Sequence, residues 1–192
     1  MAKELHTIDI ISEIARRNKD VKEFNIAVYR YVPQALTNNG RLKTRIVKST
    51  PINRLVKSIR SIKISKVWSI GLMSRVKMKN GQYYHIPQID FEIPVSKDNL
   101  NLVKKCLSGT VKVFPGYILQ TGNSYHYLGL KLLKQKGWQE FIGRCVLCNK
   151  PRAKTIVDSR WCGHSLITDC TNLRIFANHS KTEPRVIEFI AG

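Results

Sequence analysis

Acidic residues are missing from a long part of this chain. Between Phe24 and Ile89 there is not one Asp or Glu, although the same stretch holds 13 Lys and Arg. The whole chain of 192 residues has 33 Lys and Arg against 13 Asp and Glu, a formal net charge of +20. Such an excess repels itself unless a polyanion is present, so the composition favours nucleic acid as the partner.

Long apolar runs are also missing. Because the chain has no run of about 18 apolar residues and no apolar signal core after Met1, we expect a cytoplasmic protein without a transmembrane helix. The five cysteines are an odd number without a secretory signal. This favours reduced thiols over a disulfide framework.

The composition is that of a globular protein, and the order of its predicted elements is that of an α+β fold. With 43% hydrophobic residues, the chain can bury a core, and we expect a single catalytic domain over residues 1–192. Its basic N-terminal lobe would cover about residues 1–65, and the core that carries the motifs would cover about residues 66–192. Hydrophobic periodicity predicts helices over residues 7–18, from 51, 97–107 and about 130–146. It predicts strands over residues 24–32, 67–79, 83–93, 111–119, 124–128, 171–177 and 186–190, with a hairpin at Asn80-Gly81. This order indicates mixed or antiparallel sheets flanked by helices.

The acid-free stretch ends at Asp90 and Glu92. These residues alternate with Ile89, Phe91 and Ile93, a period-two pattern that is typical of a strand. On a strand both carboxylates point to the same face, where they suit Mg²⁺ or Mn²⁺. Since most such pairs on strand edges are simply solvated, the pair alone does not identify a catalytic site.

Two further segments follow in order, Asn123-Ser124-Tyr125-His126 and Ile156-Val157-Asp158. Together with Asp90-Phe91-Glu92 they resemble the archaeo-eukaryotic primase superfamily, which carries a D-x-D/E strand, a later S-x-H strand and then a hydrophobic-Asp pair. The resemblance covers roughly residues 65–185. It implies the catalytic core of that family and a DNA primase or primase-polymerase, which adds dNTPs or NTPs to nucleic acid under the direction of a template.

The resemblance also implies roles for individual residues. Asp90, Glu92 and Asp158 would hold Mg²⁺ or Mn²⁺, which activate a primer 3′-hydroxyl and stabilise the pyrophosphate leaving group. The residues expected to bind the nucleotide are Ser124, His126, His164 and Arg174. Taken without the motif, His126 is more typical of an ordinary half-buried strand histidine than of a nucleotide ligand.

The third carboxylate has two candidates. Asp158 precedes the segment from Arg160 to His164, which is similar to an R-W-x-G-H stretch of small bacterial members of the superfamily. Asp169 is the alternative, because Asn172 and Arg174 follow it much as an Asn and an Arg follow the Asp of ligase-type relatives. We prefer Asp158.

The basic residues and the cysteines suggest further ligands. DNA template and primer, or RNA, would contact Arg41, Lys43, Arg45, Arg54 and Lys57. Nothing in the sequence resembles a helicase, so a helicase or an accessory replication protein is an expected partner. A zinc set could be formed by Cys145, Cys148, Cys162 and Cys170, but a second CxxC is absent and buried thiols are the favoured interpretation.

Two other functions are compatible with the charge. A non-catalytic, degenerate nucleic-acid-binding protein would need the basic surface, but it has no use for three carboxylates at one point. A metal-dependent nuclease would use the acids and would leave Ser124 and His126 without a clear task. The discriminating feature is therefore the arrangement of Asp90, Glu92 and Asp158.

Overall fold

Two antiparallel β-sheets organise the chain. The computed structural model describes residues 5–30, 42–65, 67–112, 115–176 and 182–191. The helices are α1 Thr7–Arg17, α2 Ile52–Arg60, α3 Lys97–Lys105, α4 Gln135–Leu147 and α5 Ser159–Thr168. The strands are β1 Val21–Tyr29, β2 Leu42–Lys48, β3 Ser69–Met78, β4 Tyr83–His85, β5 Gln88–Asp90, β6 Gly116–Gln120, β7 Tyr125–Gly129, β8 Asn172–Arg174 and β9 Arg185–Ile190.

The first sheet contains the first four strands and β8, and the second sheet contains the other four. The first sheet has the order β2-β1-β3-β4, and β8 also pairs with β3. The second sheet has the order β5-β7-β6-β9. The predicted α+β class with antiparallel sheets and flanking helices is confirmed. Within the described ranges, no helix is long and apolar enough to cross a membrane.

Two hydrophobic cores stabilise the fold, and the second sheet contributes side chains to both of them. The first core joins α1 and α2 to β1 and β3, with Leu55 and Leu72 fully buried in it. In β3 the first four residues are all buried, and from Leu72 to Lys77 buried residues alternate with half-buried ones, as expected for a strand with one face in the core. The second core packs α3, α4 and α5 against the second sheet around Trp138 and Tyr127. Trp161 packs against both cores and so links the two sheets.

Several predicted elements differ from the structure. The strand predicted over residues 83–93 is divided into β4 and β5, because the chain passes here from the first sheet to the second. The strand predicted over residues 111–119 begins only at Gly116, because the chain winds into a π-helical turn over Cys106–Val111 after α3. Helix α4 begins at Gln135, since the backbone of Leu133 is bonded to that of His85 in both directions, at 2.8 and 2.9 Å. Helix α5 was not predicted at all.

A disulfide bond joins Cys106 to Cys148. The prediction that the cysteines are reduced thiols is therefore wrong for these two residues. The residues are separated by 42 positions in the sequence. They meet because the π-helical turn packs against α4, a contact that no local pattern indicates.

A series of hydrogen-bonded polar side chains begins at Ser74 of β3, between the residues of β3 that pair with β8 and those that pair with β4. The hydroxyl of Ser74 lies 3.2 Å from Nδ1 of His85, and His85 Nε2 lies 2.7 Å from Oε1 of Gln135. The Gln135 amide in turn donates to Asp169. Since Gln135 Oε1 can only accept, His85 carries its proton on Nε2 and Ser74 donates to Nδ1. Burial lowers the pKa of His85 despite the opposing effects of Gln135 and Asp169.

The lowered pKa of His85 predicts a loss of stability in acid. Below the ordinary histidine value of 6.5, the unfolded chain takes up a proton that the folded protein resists, so the free energy of unfolding falls as the pH falls. Replacing His85 with Asn should lower stability at pH 7.5 and make this decline between pH 6.5 and 5 shallower. Urea unfolding at several pH values measures both effects. His164→Asn, which leaves the chain of hydrogen bonds intact, is the control, and an equal change of slope in both variants would contradict the assignment.

Two glycines predict opposite effects on stability. A Cβ atom at Gly116 would lie 2.5 Å from the backbone oxygen of Leu128, which cannot move away, whereas nothing lies within 4 Å of a Cβ at Gly137 in α4. Gly116→Ala should therefore cost about 1–3 kcal/mol by overpacking. Gly137→Ala should be neutral or stabilise the helix by up to about 1 kcal/mol. Thermal unfolding of both variants tests the pair.

Candidate active site

The central feature of the site is the pairing of β5 with its two neighbours. On one side, Asp90 stands opposite His126 of β7. On the other, Phe91 forms an isolated antiparallel bridge with Val157, and the amide of Asp158 donates to the carbonyl of Asp90 at 3.1 Å. Asp158 is therefore opposite Asp90. Because opposite residues of antiparallel strands share a face, with Cβ atoms about 5 Å apart, His126, Asp90 and Asp158 form one row.

The imidazole of His126 contacts the first carboxylate directly. Its Nε2 lies 3.4 Å from Oδ1 of Asp90, and the side chains are 10% and 33% exposed. The row is therefore open to solvent on the Asp90 side and closed around the imidazole. In this structure Nε2 of His126 faces Asp90 and not a nucleotide. The contact of His126 with a nucleotide therefore stays a prediction.

Asp158 has a second task at the start of α5. It is the N-cap residue, and its Oδ1 accepts the amide of Trp161 at 2.9 Å. Capping satisfies one of the free backbone donors of the helix and places the carboxylate at the positive end of the helix dipole. The other carboxylate oxygen is left for a further ligand.

A buried thiol lies near the two carboxylates. Burial, and after it the charges of Asp158 and Asp90, raise the pKa of Cys162 to about 12. Both carboxylates thus act on the same sulfur atom, in agreement with their positions in the row. Cys162 is neutral and serves as a small apolar group near the site.

Glu92 lies just beyond the end of β5 and is exposed. Its amide donates to the carbonyl of Ile156 at 3.0 Å, which keeps the chain extended after Asp90. In the parts of the chain that the structure describes, no group of three or more His, Cys, Asp or Glu side chains is arranged to hold a metal ion. The metal site of Asp90, Glu92 and Asp158 therefore stays a prediction, for which the structure supplies two adjacent acids.

The alternative acid lies elsewhere. Asp169 is the C-cap residue of α5, opposite in the helix to the N-cap Asp158, and it accepts a hydrogen bond from Gln135. The helix between them separates the two residues by about 16 Å along its axis. The geometry favours Asp158 as the partner of Asp90.

Ser124 is used by the backbone. Its hydroxyl contacts the carbonyl of Phe91 and that of Ile93, the latter at 2.9 Å. Ser124 precedes β7, so these bonds tie the β6–β7 turn to the segment that leaves Asp90. The predicted triphosphate contact stays a prediction, while the structure assigns Ser124 a positioning role that sequence reasoning missed.

Arg174 is a second positioning residue. It is 7% exposed, and its guanidinium donates to the carbonyls of Phe176, Thr182 and Thr121. These bonds hold the segments after β8, before β9 and after β6 together. Burial lowers the pKa of Arg174, and Tyr29 and the carboxylates of Asp90 and Glu183 oppose that effect. Its predicted nucleotide contact would have to use the guanidinium hydrogens that these carbonyls leave free.

The sequence as a whole has a recognisable relative. Residues 50–187 match the model of a family described as archaeo-eukaryotic primase 1D-like (AEP-like). The chain belongs to this family. The match spans well over half of the chain and includes all three segments from which the resemblance was drawn. No curated protein and no solved structure matches the chain.

The remaining expected sites of this primase-like chain are only partly brought together. His164 lies two positions after Cys162 in α5 and therefore projects from roughly the opposite side of the helix, away from the carboxylates. The basic residues Lys43 and Arg45 on β2, and Arg54 and Lys57 on α2, are all exposed. Arg41 lies outside the described residues.

The candidate zinc set is not assembled. Cys148 is in the disulfide with Cys106, and thus has no thiol to offer. Burial is the largest cause that raises the pKa of Cys145, Cys162 and Cys170, which makes them poor thiolate ligands. The correction follows from packing, since Cys145, Cys148 and Cys162 lie in the second core, whereas Cys170 contacts Ser74 of the first sheet.

The two tasks of Asp158 can be separated by substitution. Asn also caps helices well, so Asp158→Asn should leave the free energy of unfolding nearly unchanged, whereas Asp158→Ala should cost about 1 kcal/mol. Urea unfolding measures the difference. Equal destabilisation by Asn and Ala would contradict the capping role, and exposed Asp98→Ala in the first turn of α3 is the control.

Proposed function

We propose that this protein is a metal-dependent, template-directed nucleotidyltransferase, a DNA primase or primase-polymerase that adds dNTPs or NTPs to a nucleic-acid strand. The single observation that carries the proposal is the row of His126, Asp90 and Asp158 in a chain of the AEP-like family. Membership of the family supports a primase-like protein, and the row supports catalysis.

The donor set fits a magnesium or manganese ion. Mg²⁺ is usually bound through one or two carboxylates together with substrate phosphates and water. Asp90, 33% exposed, and Asp158, with one oxygen uncommitted, supply such a pair, and exposed Glu92 lies two residues after Asp90, just beyond the end of β5. When bound, the metal would activate the attacking hydroxyl and offset charge on the pyrophosphate leaving group.

The protein's own residues would hold the reacting groups in place. Asp158 is anchored by its capping bond to Trp161, and Asp90 by backbone pairing on both sides. His126 places a nitrogen donor beside the carboxylates, where a triphosphate would approach. Ser124 and Arg174 restrain the turns around this row through carbonyl contacts, so these residues act on geometry.

The charge of the chain supports nucleic acid as the other substrate. The net charge of +20 would favour template and primer by release of counterions. The non-catalytic alternative shares this feature. It differs only in what the row of carboxylates does, so the decisive measurement is incorporation.

Substitution of Asp90 tests the proposal. Primed and unprimed single-stranded DNA should be incubated with labelled dNTPs or NTPs and Mn²⁺ or Mg²⁺. We expect the native protein to incorporate label and Asp90→Asn to lose roughly a hundredfold or more, because a charge that holds the metal is gone. Binding of the strand should be equal or tighter, since one negative charge is removed.

The matched control is Asp98→Asn, an exposed acid in the first turn of α3 that is not part of the row. It should incorporate at the native rate. Native activity in Asp90→Asn would refute the metal role of Asp90. A native protein that binds the strand but incorporates nothing with either metal would establish the non-catalytic alternative.

A further inference from the structure

A small basic groove lies beside β2, the edge strand of the first sheet among the described residues. It has a volume of about 180 Å³. Its described lining consists of three cations, two aliphatic side chains, a serine and an indole. The residues that the argument uses are Val28, Lys43, Arg45, Lys63, Ile64 and Trp68.

The charge of the groove has one sign. Lys43, Arg45 and Lys63 are exposed, and the sequence supplies no acid between Phe24 and Ile89 to neutralise them. Lys43 and Arg45 project from the same side of the edge strand β2, about 6.8 Å apart along it. This is a row of charges along an open strand, suited to successive phosphates of an extended chain.

The groove also offers an aromatic face. The ammonium group of Lys43 lies 5.9 Å from the ring centroid of Trp68, above the indole. Trp68 is half-buried, whereas Trp138 is fully buried in the second core. The exposed Lys43 side chain is flexible enough to move from the indole to a phosphate, which would leave the ring, with aliphatic Val28 and Ile64 beside it, for a flat base attached to that phosphate.

We infer that this groove binds single-stranded nucleic acid, with a base stacked on Trp68 and neighbouring phosphates held by Lys43, Arg45 and Lys63. Phosphate contacts alone would suit an acidic protein or an anionic membrane equally well. The indole beside them favours nucleic acid, because every base has a face that can stack. The inference rests on the proposed function for the identity of the strand.

The groove is separate from the row of carboxylates. Val28 is opposite both Lys43 and Ile70, so the groove lies on their face of the sheet. Arg174, on which the charge of Asp90 acts, marks the side of the sheet nearer the row of carboxylates. It is opposite Gly71, the residue after Ile70 in β3, and therefore belongs to the other face. Strands β2 and β8 are three strand spacings apart, about 14 Å. The groove thus holds the strand some nucleotides away from the point of synthesis and contributes affinity and not chemistry.

Two oligonucleotides and three variants test this. Trp68→Leu should weaken binding of a single-stranded oligodeoxythymidylate about tenfold or more, and should hardly change binding of an abasic strand of equal length. Trp68→Phe should restore much of the loss, because it also stacks. Fluorescence anisotropy with the full chain gives the affinities, and thermal unfolding shows whether each variant is folded. An equal loss on both strands, or no loss, would overturn the stacking role.

The cations are tested by salt dependence. Replacing Lys43, Arg45 and Lys63 together with Gln should reduce the slope of log affinity against log salt by about 2, at roughly 0.7 per phosphate contact. The matched control replaces exposed Lys19, Lys105 and Lys136 with Gln. An equal change in the control would show that only the net charge matters, and tighter binding to phosphatidylserine vesicles than to the oligonucleotide would favour a membrane instead. Both results would overturn the inference.

Failure of the groove inference and failure of the proposed function would give different results. If the groove binds the strand, Trp68→Leu should raise the template concentration needed for half-maximal incorporation and leave the rate at saturation unchanged. Asp90→Asn should lower the rate at saturation and leave the template concentration for half-maximal incorporation unchanged. Native strand affinity in Trp68→Leu, with incorporation by the native protein, would remove the groove and leave the proposed nucleotidyltransferase intact.

Discussion

The site depends on one constraint, the antiparallel pairing of β5 with segments that lie far away in the sequence. His126 lies 36 positions after Asp90, and Asp158 lies 68 positions after Asp90. Pairing on either side of β5 nevertheless places all three residues in one row. Backbone hydrogen bonds set this register, and a shift by one residue would turn every side chain to the other face. The surrounding contacts of Ser124 and Arg174 therefore act on the same quantity, the register of the strands around Asp90.

Charge explains why this register needs support. Two carboxylates that face each other repel, and the structure places cations or donors around them: the imidazole beside Asp90, the helix start at Asp158, and the buried Arg174. The neutral thiol of Cys162 lies near them and adds no charge. A divalent ion would complete this compensation. The proposed activity and the local electrostatics thus point to the same two side chains.

Much of this could be predicted from the sequence, because it rests on local patterns. Alternation around Asp90 showed a strand, Asn80-Gly81 a turn, and the order of short motifs the family, which is confirmed. Helix α5 was missed because its segment contains Gly163 and little hydrophobic periodicity, although Asp158 with Trp161 three positions on is a capping arrangement. The disulfide and the hydrogen bonds of Ser124 and Arg174 depend on tertiary contacts, about which the sequence pattern is silent.

The acid-free stretch has a structural as well as a functional consequence. It supplies α2 and most of the first sheet. Many of its cations lie on the edge strand and the exposed face of α2, while its apolar residues contribute to the first core. An edge strand that carries Lys43 and Arg45 is protected against pairing with another sheet, because charges on an open edge disfavour it. The same charges suit a phosphate backbone. Edge protection alone, however, needs no indole beside them, and Trp68 is therefore the residue that separates a solvated basic edge from a binding surface.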